Sequence, residues 1–167
     1  MKAKKTKSRV SVKDVRRHEA RKALPMRSFD ESLPMALLRA REAVMRHFRP
    51  VLRNHGVTEQ QWRILRALAG KPALEITELA TVTCLLAPSI SRILPDLEAR
   101  GWIRRSPVET DLRRAVVSLE PEGLKLIAAH APYSEDTYND IEARFGSERL
   151  QQLFTLLREL ETALADP

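Results

Sequence analysis

Three polar side chains at positions 89 to 92 have the chemistry needed to contact the edges of DNA bases. Ser89 and Ser91 carry hydroxyls that donate and accept hydrogen bonds, and Arg92 carries a guanidinium with five donors. Side chains of these types read base edges in the major groove. The apolar spacing predicts a helix that has Pro88 in its first turn and leaves the three polar side chains outside its buried stripe. That stripe consists of Ile90, Ile93, Leu94 and Leu97.

A predicted β-hairpin after that helix carries a second set of cationic side chains. Residues 102 to 106 and 114 to 119 have the composition of two paired strands, and Pro107, Glu109 and Asp111 favour a turn between them. Four arginines are expected near the tip of the hairpin: Arg104, Arg105, Arg113 and Arg114. Because guanidinium groups suit phosphates and the minor groove, the helix and the hairpin together predict two kinds of DNA contact.

A short helix before these elements completes a winged helix-turn-helix, predicted over residues 58 to 120. Thr58 and Gln61 have the spacing of a capping box, which predicts the start of the first helix of this region. Glu78, Leu79 and Ala80 lie on that short helix, and a connection through residues 84 to 87 leads to the second helix. In this arrangement the second helix enters the major groove. We expect Ser89, Ser91 and Arg92 to read bases there.

The wing residues are expected to contact the DNA beside that groove. Arg113, oriented by Asp111, is predicted to enter the minor groove. The remaining wing arginines, Arg104, Arg105 and Arg114, are predicted to hold phosphates.

Two residues within the helix-turn-helix carry expectations of their own. Pro95 removes a backbone hydrogen bond inside the second helix, at a cost of about 3 kcal/mol or a kink, and predicts a bend near Ser91 to Pro95. Cys84 has the apolar neighbours Val82 and Leu85 and is expected to fill the core beside that helix. The rival interpretation of Cys84 is an oxidant sensor, which requires an exposed and activated thiol.

Residues 74 to 123 resemble the DNA-binding lobe of the MarR family of bacterial transcriptional regulators. The matching motifs are Glu78-Leu79-Ala80, Pro88-Ser89-x-Ser91-Arg92, Leu97-Glu98-x-Arg100-Gly101-x-Ile103-x-Arg105, and Asp111-x-Arg113 followed by Leu119 and Gly123. The resemblance implies a DNA-binding regulator with a winged helix-turn-helix. Glu120 stands where the family usually has threonine, so the helix after the wing must be capped differently.

Charge is distributed unevenly along the 167 residues. Residues 1 to 27 hold 11 of the 29 Lys and Arg and 2 of the 22 acids, a net of +9, which leaves −2 for the other 140 residues. This basic arm is interpreted either as solvated chain or as a source of extra phosphate contacts. It lacks the apolar core of an export signal, and nowhere does the chain approach the roughly 18 apolar residues of a membrane span. We therefore expect a cytoplasmic protein without a membrane partner, with one domain over residues 28 to 167.

A predicted helix over residues 32 to 54 places a cation on an apolar face. Arg41 lies four residues after Leu37 and three before Val44. A buried guanidinium needs an anion, which is either a neighbouring acid of the protein or the carboxylate of a small effector. His47 and Trp62 are candidates to line the same space, although such residues more often serve packing alone.

A second resemblance bears on this choice. Residues 38 to 43, 48 to 50 and 58 to 63 look like one branch of the family, the repressors of 4-hydroxyphenylacetate or homoprotocatechuate degradation. The branch implies an aromatic carboxylate effector such as 4-hydroxyphenylacetate or 3,4-dihydroxyphenylacetate. Arg41 fits such a ligand because a guanidinium binds a carboxylate in a bidentate fork.

The C-terminal region, residues 121 to 164, is predicted to be helical and to form a dimerisation layer with residues 32 to 54. A helix from Pro121 is expected to be interrupted at Pro132 and to resume as far as Phe145, and Ser147 is expected to cap the last helix. That helix carries an apolar stripe of Leu150, Leu153, Phe154, Leu157, Leu160 and Leu164. Pairing with a second copy would cover the stripe, which predicts a homodimer on a pseudo-palindromic operator.

The residue inventory argues against an enzyme. One cysteine and four histidines show no metal-ligand spacing, and no glycine-rich phosphate loop is present, so no cofactor is expected. The predicted protein is mainly α, with a winged helix-turn-helix lobe and a dimerisation layer, and represses an aromatic-acid operon until a small aromatic acid binds. Two alternatives stay open: a ligand-independent or redox-responsive DNA-binding regulator, and a winged-helix protein-interaction module.

Overall fold

The computed structural model describes residues 26 to 108 and 111 to 165, and for residues 111 to 113 it describes the backbone alone. Apart from Met26 and Arg27, the predicted basic arm lies outside the described residues. The elements, in chain order, are α1 (Leu33–Asn54), α2 (Glu59–Ala69), β1 (Leu74–Glu75), α3 (Ile76–Thr83), α4 (Ala87–Ala99), β2 (Ile103–Val108), β3 (Asp111–Leu119), α5 (Pro121–Phe145) and α6 (Ser147–Leu164). The chain divides after Glu42 into two units.

The described part of the first unit contains a short 3-10 turn and the start of α1. Ser28 and Glu31 form a reciprocal capping box around the turn, in which the Ser28 hydroxyl accepts from the Glu31 amide at 3.3 Å. The Arg39 guanidinium donates to the backbone carbonyl of Asp30. The predicted first helix is confirmed, because α1 begins one residue after Ser32 and runs through Pro50 to Asn54.

The second unit has a core formed by α2 and its preceding turn, the helix-turn-helix and the sheet. Gly56, with φ +65°, turns the chain after α1, and the predicted capping box of Thr58 and Gln61 starts α2. The buried cluster comprises Val57, Ile64, Leu65, Leu68, Leu74, Leu79, Leu85, Ile90, Leu94, Leu97, Ile103 and Val117. The predicted stripe of α4 therefore faces the core, and its opposite side is left for a partner.

The helix-turn-helix itself consists of α3 and α4, whose axes are inclined by 107°. Cys84 adopts a left-handed conformation, φ +51°, at the end of α3, and its side chain is exposed. The prediction that Cys84 fills the core is therefore wrong. The left-handed residue turns the chain sharply and sends Leu85 inward instead.

Helix α4 runs as a single element through Pro95, and the bend near Ser91 to Pro95 stays a prediction. Among the described residues no single helix is long and apolar enough to cross a membrane; α3 and α4 together pass on length and composition but are bent.

The wing is a three-stranded antiparallel sheet in the order β1-β3-β2, and the sequence had predicted only the hairpin. β1 pairs Leu74 with Val117 and Glu75 with Val116. The strands of the hairpin are also longer than expected, since β2 includes Pro107, which was assigned to the turn. The register is irregular between Pro107 and Val108, where a residue that cannot donate a ladder hydrogen bond is tolerated.

Two predictions about the C-terminal helices are wrong. α5 is continuous from Pro121 to Phe145, because Pro132 costs one backbone hydrogen bond and the remaining bonds of the turns on either side hold the helix together. Ser147 is the first residue of α6, and the cap position belongs to Gly146, whose φ of +93° suits glycine. The backbone amide of Leu150 bonds to the Gly146 carbonyl at 3.0 Å.

Candidate DNA-binding surface and effector site

The outward side of α4 carries the side chains predicted to read bases. Ser91 and Arg92 are exposed and Ser89 is half-buried. The Ser91 hydroxyl donates to the carbonyl of Ala87 at 3.1 Å, and Arg92 Nε donates to the carbonyl of Pro88 at 3.4 Å. Both side chains therefore lie along the first turn of the helix, the part that approaches base edges in helix-turn-helix proteins.

The buried side chain of Gln61 forms hydrogen bonds that connect α2 to α4. Gln61 Nε2 donates to Asp96 Oδ2 at 2.7 Å, while Gln61 Oε1 accepts from the Thr58 amide at 2.8 Å. Asp96 also pairs with Arg100 at 3.0 Å. The sequence indicated the role of Gln61 in the helix cap. It did not indicate the hydrogen bond to Asp96, because that bond joins residues 35 positions apart. One side chain thus links the start of α2 to the candidate recognition helix.

The wing arginines differ from prediction in their placement. Arg104 and Arg105 are opposite Ser118 and Val117, four to five residues before the turn, so their predicted position near the tip is wrong. At about 3.3 Å per residue they lie about 15 Å from the turn. The longer hairpin explains the error, because the shorter predicted strands put these residues closer to the turn.

Each of these arginines, and Arg114 as well, pairs with a carboxylate on another element. Arg104 Nε lies 2.7 Å from Glu120 Oε1, and Arg105 Nε donates to Glu98 Oε2 at 2.8 Å. Arg114 Nε donates to Glu75 Oε2 at 3.0 Å. A guanidinium has five N–H donors, so an arginine that gives two to a carboxylate keeps three for phosphate oxygens. The pairs orient the three arginines, and Arg104 and Arg105 keep donors with which they can bind an anion.

Glu98 connects the wing directly to α4. Its carboxylate accepts from the Arg105 side chain and, at 3.1 Å, from the Arg105 backbone amide. These two hydrogen bonds, in that order, hold the pKa of Glu98 below its usual value. On the other side of the wing, the Glu120 carboxylate pairs with Arg104. The backbone carbonyl of Glu120 accepts the first hydrogen bond of α5 from the Leu124 amide. The helix after the wing is thus capped differently from the family's threonine, as predicted.

The two remaining predicted DNA contacts cannot be placed in the same detail. The backbone of Asp111 and Arg113 belongs to β3, and their side chains lie outside the described residues. Their roles in the minor groove therefore stay predictions.

The predicted effector residues have different surroundings. Arg41, in the first unit, lies 2.9 Å from the carboxylate of Glu42, and both side chains are partly exposed. In the second unit, His47 Nδ1 lies 4.0 Å from Asp140 Oδ2, whereas Trp62 packs on His130 with ring centroids 4.1 Å apart. Asp140 and His130 are ten residues apart on α5, about 15 Å along the axis. His47 and Trp62 therefore contact α5 at well-separated turns.

Trp62 borders a cavity of about 560 Å³ between α2 and α3 that the sequence did not predict. Its cationic lining residues are Arg63, Arg66 and Lys71, and Ala67, Leu74 and Val82 supply apolar surface. Arg63 Nη1 also donates to the carbonyl of Thr83 at 2.8 Å. Ligand pockets of this volume combine apolar walls with a few polar groups. The signal in the sequence was the four-residue spacing of Trp62 and Arg66, which puts both on one side of α2.

His130, beside Trp62, is buried, and its Nδ1 has no hydrogen-bond partner among the described residues. Burial lowers the pKa of His130, and the neighbouring charges of His55 and Arg66 lower it further. The imidazole is accordingly favoured in its neutral form, and Nδ1 or Nε2 can accept a hydrogen bond.

Comparison with known proteins gives consistent results. The model of the MarR family matches residues 57–115. The homoprotocatechuate degradative operon repressor of Escherichia coli is 43% identical over 129 residues, which are 77% of this chain and 87% of that protein. NadR, crystallised in complex with 4-hydroxyphenylacetate, superposes with a TM-score of 0.71 at 39% identity, covering 82% of this chain and 97% of NadR. CouR bound to a 23-mer DNA duplex has the same TM-score at 26% identity over 82% of this chain and 97% of CouR.

Proposed function

Because the chain belongs to the MarR family of transcriptional regulators, we propose that it represses an operon for the breakdown of an aromatic acid and leaves its operator when a small aromatic carboxylate binds. The observation that carries the proposal is the winged helix-turn-helix with its polar outer side on α4. The similar repressor acts on a homoprotocatechuate operon, and the similar NadR binds 4-hydroxyphenylacetate. A protein that acts on an operator works in the cytoplasm.

In the proposed DNA complex, the start of α4 lies in the major groove. Ser89, Ser91 and Arg92 contact base edges, and Arg113, oriented by Asp111, enters the adjacent minor groove. Arg104 and Arg105 hold phosphates with the donors that their carboxylate partners leave available, and Arg114 is the third phosphate contact. The change Arg113→Ala should weaken operator binding by about 1–3 kcal/mol. Wild-type affinity for this variant would exclude the proposed role of the wing.

The proposed operator complex contains two copies of the chain. α6 presents Leu153, Phe154 and Leu164 to solvent, and apolar residues at this spacing are covered efficiently by the same surface of a second copy. Two copies related by a twofold axis would place two α4 helices on a pseudo-palindromic operator.

The effector is proposed to bind in the cavity beside Trp62. The indole offers a flat apolar wall for a ring, and Arg66 and Lys71 supply charge for a carboxylate. Arg41 and His47 remain predicted effector contacts and are tested separately. A bound acid can release DNA only by favouring a conformation of the dimer that the operator does not accept.

The effector proposal is tested with Arg66→Gln. Losing a charge-assisted hydrogen bond should raise the acid concentration needed for release about 10- to 100-fold and leave acid-free operator binding unchanged. Arg158→Gln is the matched control, since Arg158 is exposed on α6 and contacts Thr155 there, away from every proposed effector residue. Arg41→Ala and Trp62→Ala extend the same titration. Normal release in Arg66→Gln and Trp62→Ala would exclude the cavity.

The function as a whole is tested by fluorescence anisotropy with the DNA upstream of the gene. Binding should be tight, weaken with salt, and be released by 4-hydroxyphenylacetate or 3,4-dihydroxyphenylacetate but not by benzoate. Binding that no acid releases would keep the repressor and remove the effector. Absence of binding at low salt would favour the protein-interaction module.

One observation favours a redox-responsive regulator as the second candidate. Cys84 is exposed at the turn between α3 and α4, directly before the candidate reading helix. Oxidation there would place a new group next to the DNA. Operator affinity that is the same before and after peroxide treatment would remove this candidate.

A further inference from the structure

Leu86 is an exposed leucine at the cap position of α4. It is 76% exposed, more than any other large apolar side chain in the described ranges, whereas the adjacent Leu85 is 8% exposed. Leu86 is the residue at which the backbone leaves the extended conformation, φ −68° and ψ 139°, and enters the helix. The side chain therefore adds little to the packing of the helix-turn-helix.

The identity of this residue is also unfavourable for the helix that it starts. Cap positions favour Ser, Thr, Asp and Asn, whose side chains accept a hydrogen bond from the first free amides, and leucine is among the least favourable caps. Ser28 and Thr58 cap other segments of this chain in the favourable way. Leu86 has no polar atom with which to do the same. Neither burial nor capping accounts for a leucine at this position.

The location of Leu86 supplies a reason. It directly precedes the first turn of α4, which carries Ser89 and along which the Arg92 side chain lies, and this turn is the part of a helix-turn-helix that reaches the bases. In the major groove the C5-methyl group of thymine is the apolar feature that distinguishes one base pair from the others. A leucine next to hydroxyl and guanidinium donors thus adds an apolar contact to the polar ones.

We propose that Leu86 packs against the C5-methyl group of a thymine in each half of the operator and so determines which base is accepted there. The proposal rests on the DNA-binding function proposed above. Covering one methyl group removes a small apolar area from water on both molecules. The expected gain in affinity is about three- to tenfold per operator.

The test removes the proposed contact first from the DNA and then from the protein. Each thymine of the operator is replaced in turn by deoxyuridine, which lacks only the methyl group and keeps the hydrogen bonds of the base pair. Wild-type protein should lose about three- to tenfold in affinity at one symmetry-related pair of positions. Leu86→Ala should bind the unmodified operator correspondingly more weakly and be insensitive to deoxyuridine at that pair. Leu124→Ala, which removes another exposed leucine of the same unit, should behave like wild type.

A second variant separates recognition from folding. Leu86→Ser should raise Tm, because serine can cap α4, and should weaken operator binding at the same time. A stability defect cannot produce that combination. The proposal is overturned if no deoxyuridine position affects the wild type, or if Leu86→Ala keeps the wild-type sensitivity. Failure of the proposed function has a different signature, since the wild type would then not bind the unmodified operator at all.

Discussion

The helix-turn-helix with its supporting helix α2 differs from the last helix, α6, in how far its apolar side chains are exposed. Ile64, Leu79 and Ile90 are fully buried between α2, α3, α4 and the sheet. On α6, by contrast, Leu153 is 39% exposed and Leu164 is 71% exposed, and Leu150 is the buried residue. The first region completes its core within one chain. The second presents a surface suited to an interface.

The two regions also differ in the interactions that position them. Ion pairs join the wing to its surroundings, from Arg105 to Glu98 and from Arg104 to Glu120, and a third pair, from Arg114 to Glu75, joins two of its strands. The stripe on α6 offers apolar contact. Because salt screens exposed charges and favours apolar burial, the two regions should respond in opposite directions to ionic strength.

The largest effect is expected from opening the self-contained core. Leu94→Ala removes a fully buried side chain of α4 and should lower the free energy of unfolding by about 2–5 kcal/mol. Thr155→Ala, on the side of α6 opposite its apolar stripe, should change it by less than about 0.5 kcal/mol. Urea titrations of both variants at one protein concentration measure the difference. Equal losses would mean that the comparison between the regions is wrong.

A charge in the stripe of α6 should act on assembly. Leu153→Glu should shift the mass in solution from dimer to monomer, since a carboxylate cannot be buried in an apolar interface without a partner. With one reading helix instead of two, operator affinity should fall at least about 100-fold. Thr155→Glu puts the same charge on the opposite side of the helix and is the control. Light scattering that finds Leu153→Glu still dimeric would place the interface elsewhere.

A smaller loss of stability is expected when the ion pair between the wing and α4 is weakened. Glu98→Gln weakens the pair with Arg105, and because both groups are partly exposed the loss of stability should stay within about 1 kcal/mol. The folded-state pKa of Glu98 is lowered, so its contribution is complete above the ordinary glutamate pKa of 4.5 and is lost as the pH falls through the lower pKa of the folded state. Thermal melts between pH 3 and 7 should thus be less pH-dependent for Glu98→Gln than for wild type. Glu122→Gln, which breaks an ion pair on α5, should change operator affinity less than Glu98→Gln does.

The smallest effect concerns His130. Its folded-state pKa is lowered, so the folded protein takes up a proton less readily than the unfolded chain, and stability should decrease as the pH falls below the ordinary histidine pKa of 6.5. His130→Gln should flatten this part of the stability curve. Parallel curves for wild type and His130→Gln between pH 5 and 8 would contradict the assignment.

The sequence predicted the elements whose signals are local. Pro88 marked the first turn of α4, Thr58 and Gln61 marked the start of α2, and the 3.6-residue spacing of Ile90, Leu94 and Leu97 marked the buried side. Each of these signals depends on residues within one or two turns of each other. The family resemblance added the order of the elements in the lobe.

The sequence failed where an outcome depends on distant residues. β1 is two residues long, too short to show an alternation, and exists because Val116 and Val117 pair with it. The pairs of Glu75 with Arg114 and of Gln61 with Asp96 span 39 and 35 residues. Cys84 was misplaced because apolar neighbours predict burial on average, whereas its left-handed backbone turns this side chain outward.

That exposed Cys84 is the only cysteine among the 167 residues, which makes the chain ready for spectroscopy. A nitroxide or a fluorophore attached to its thiol would label one defined position, with no other thiol to remove beforehand. In a dimer the distance between the two labels reports the separation of the two turns that precede the α4 helices. Pulsed electron paramagnetic resonance on the nitroxide-labelled dimer would record the distribution of label separations with and without an aromatic acid.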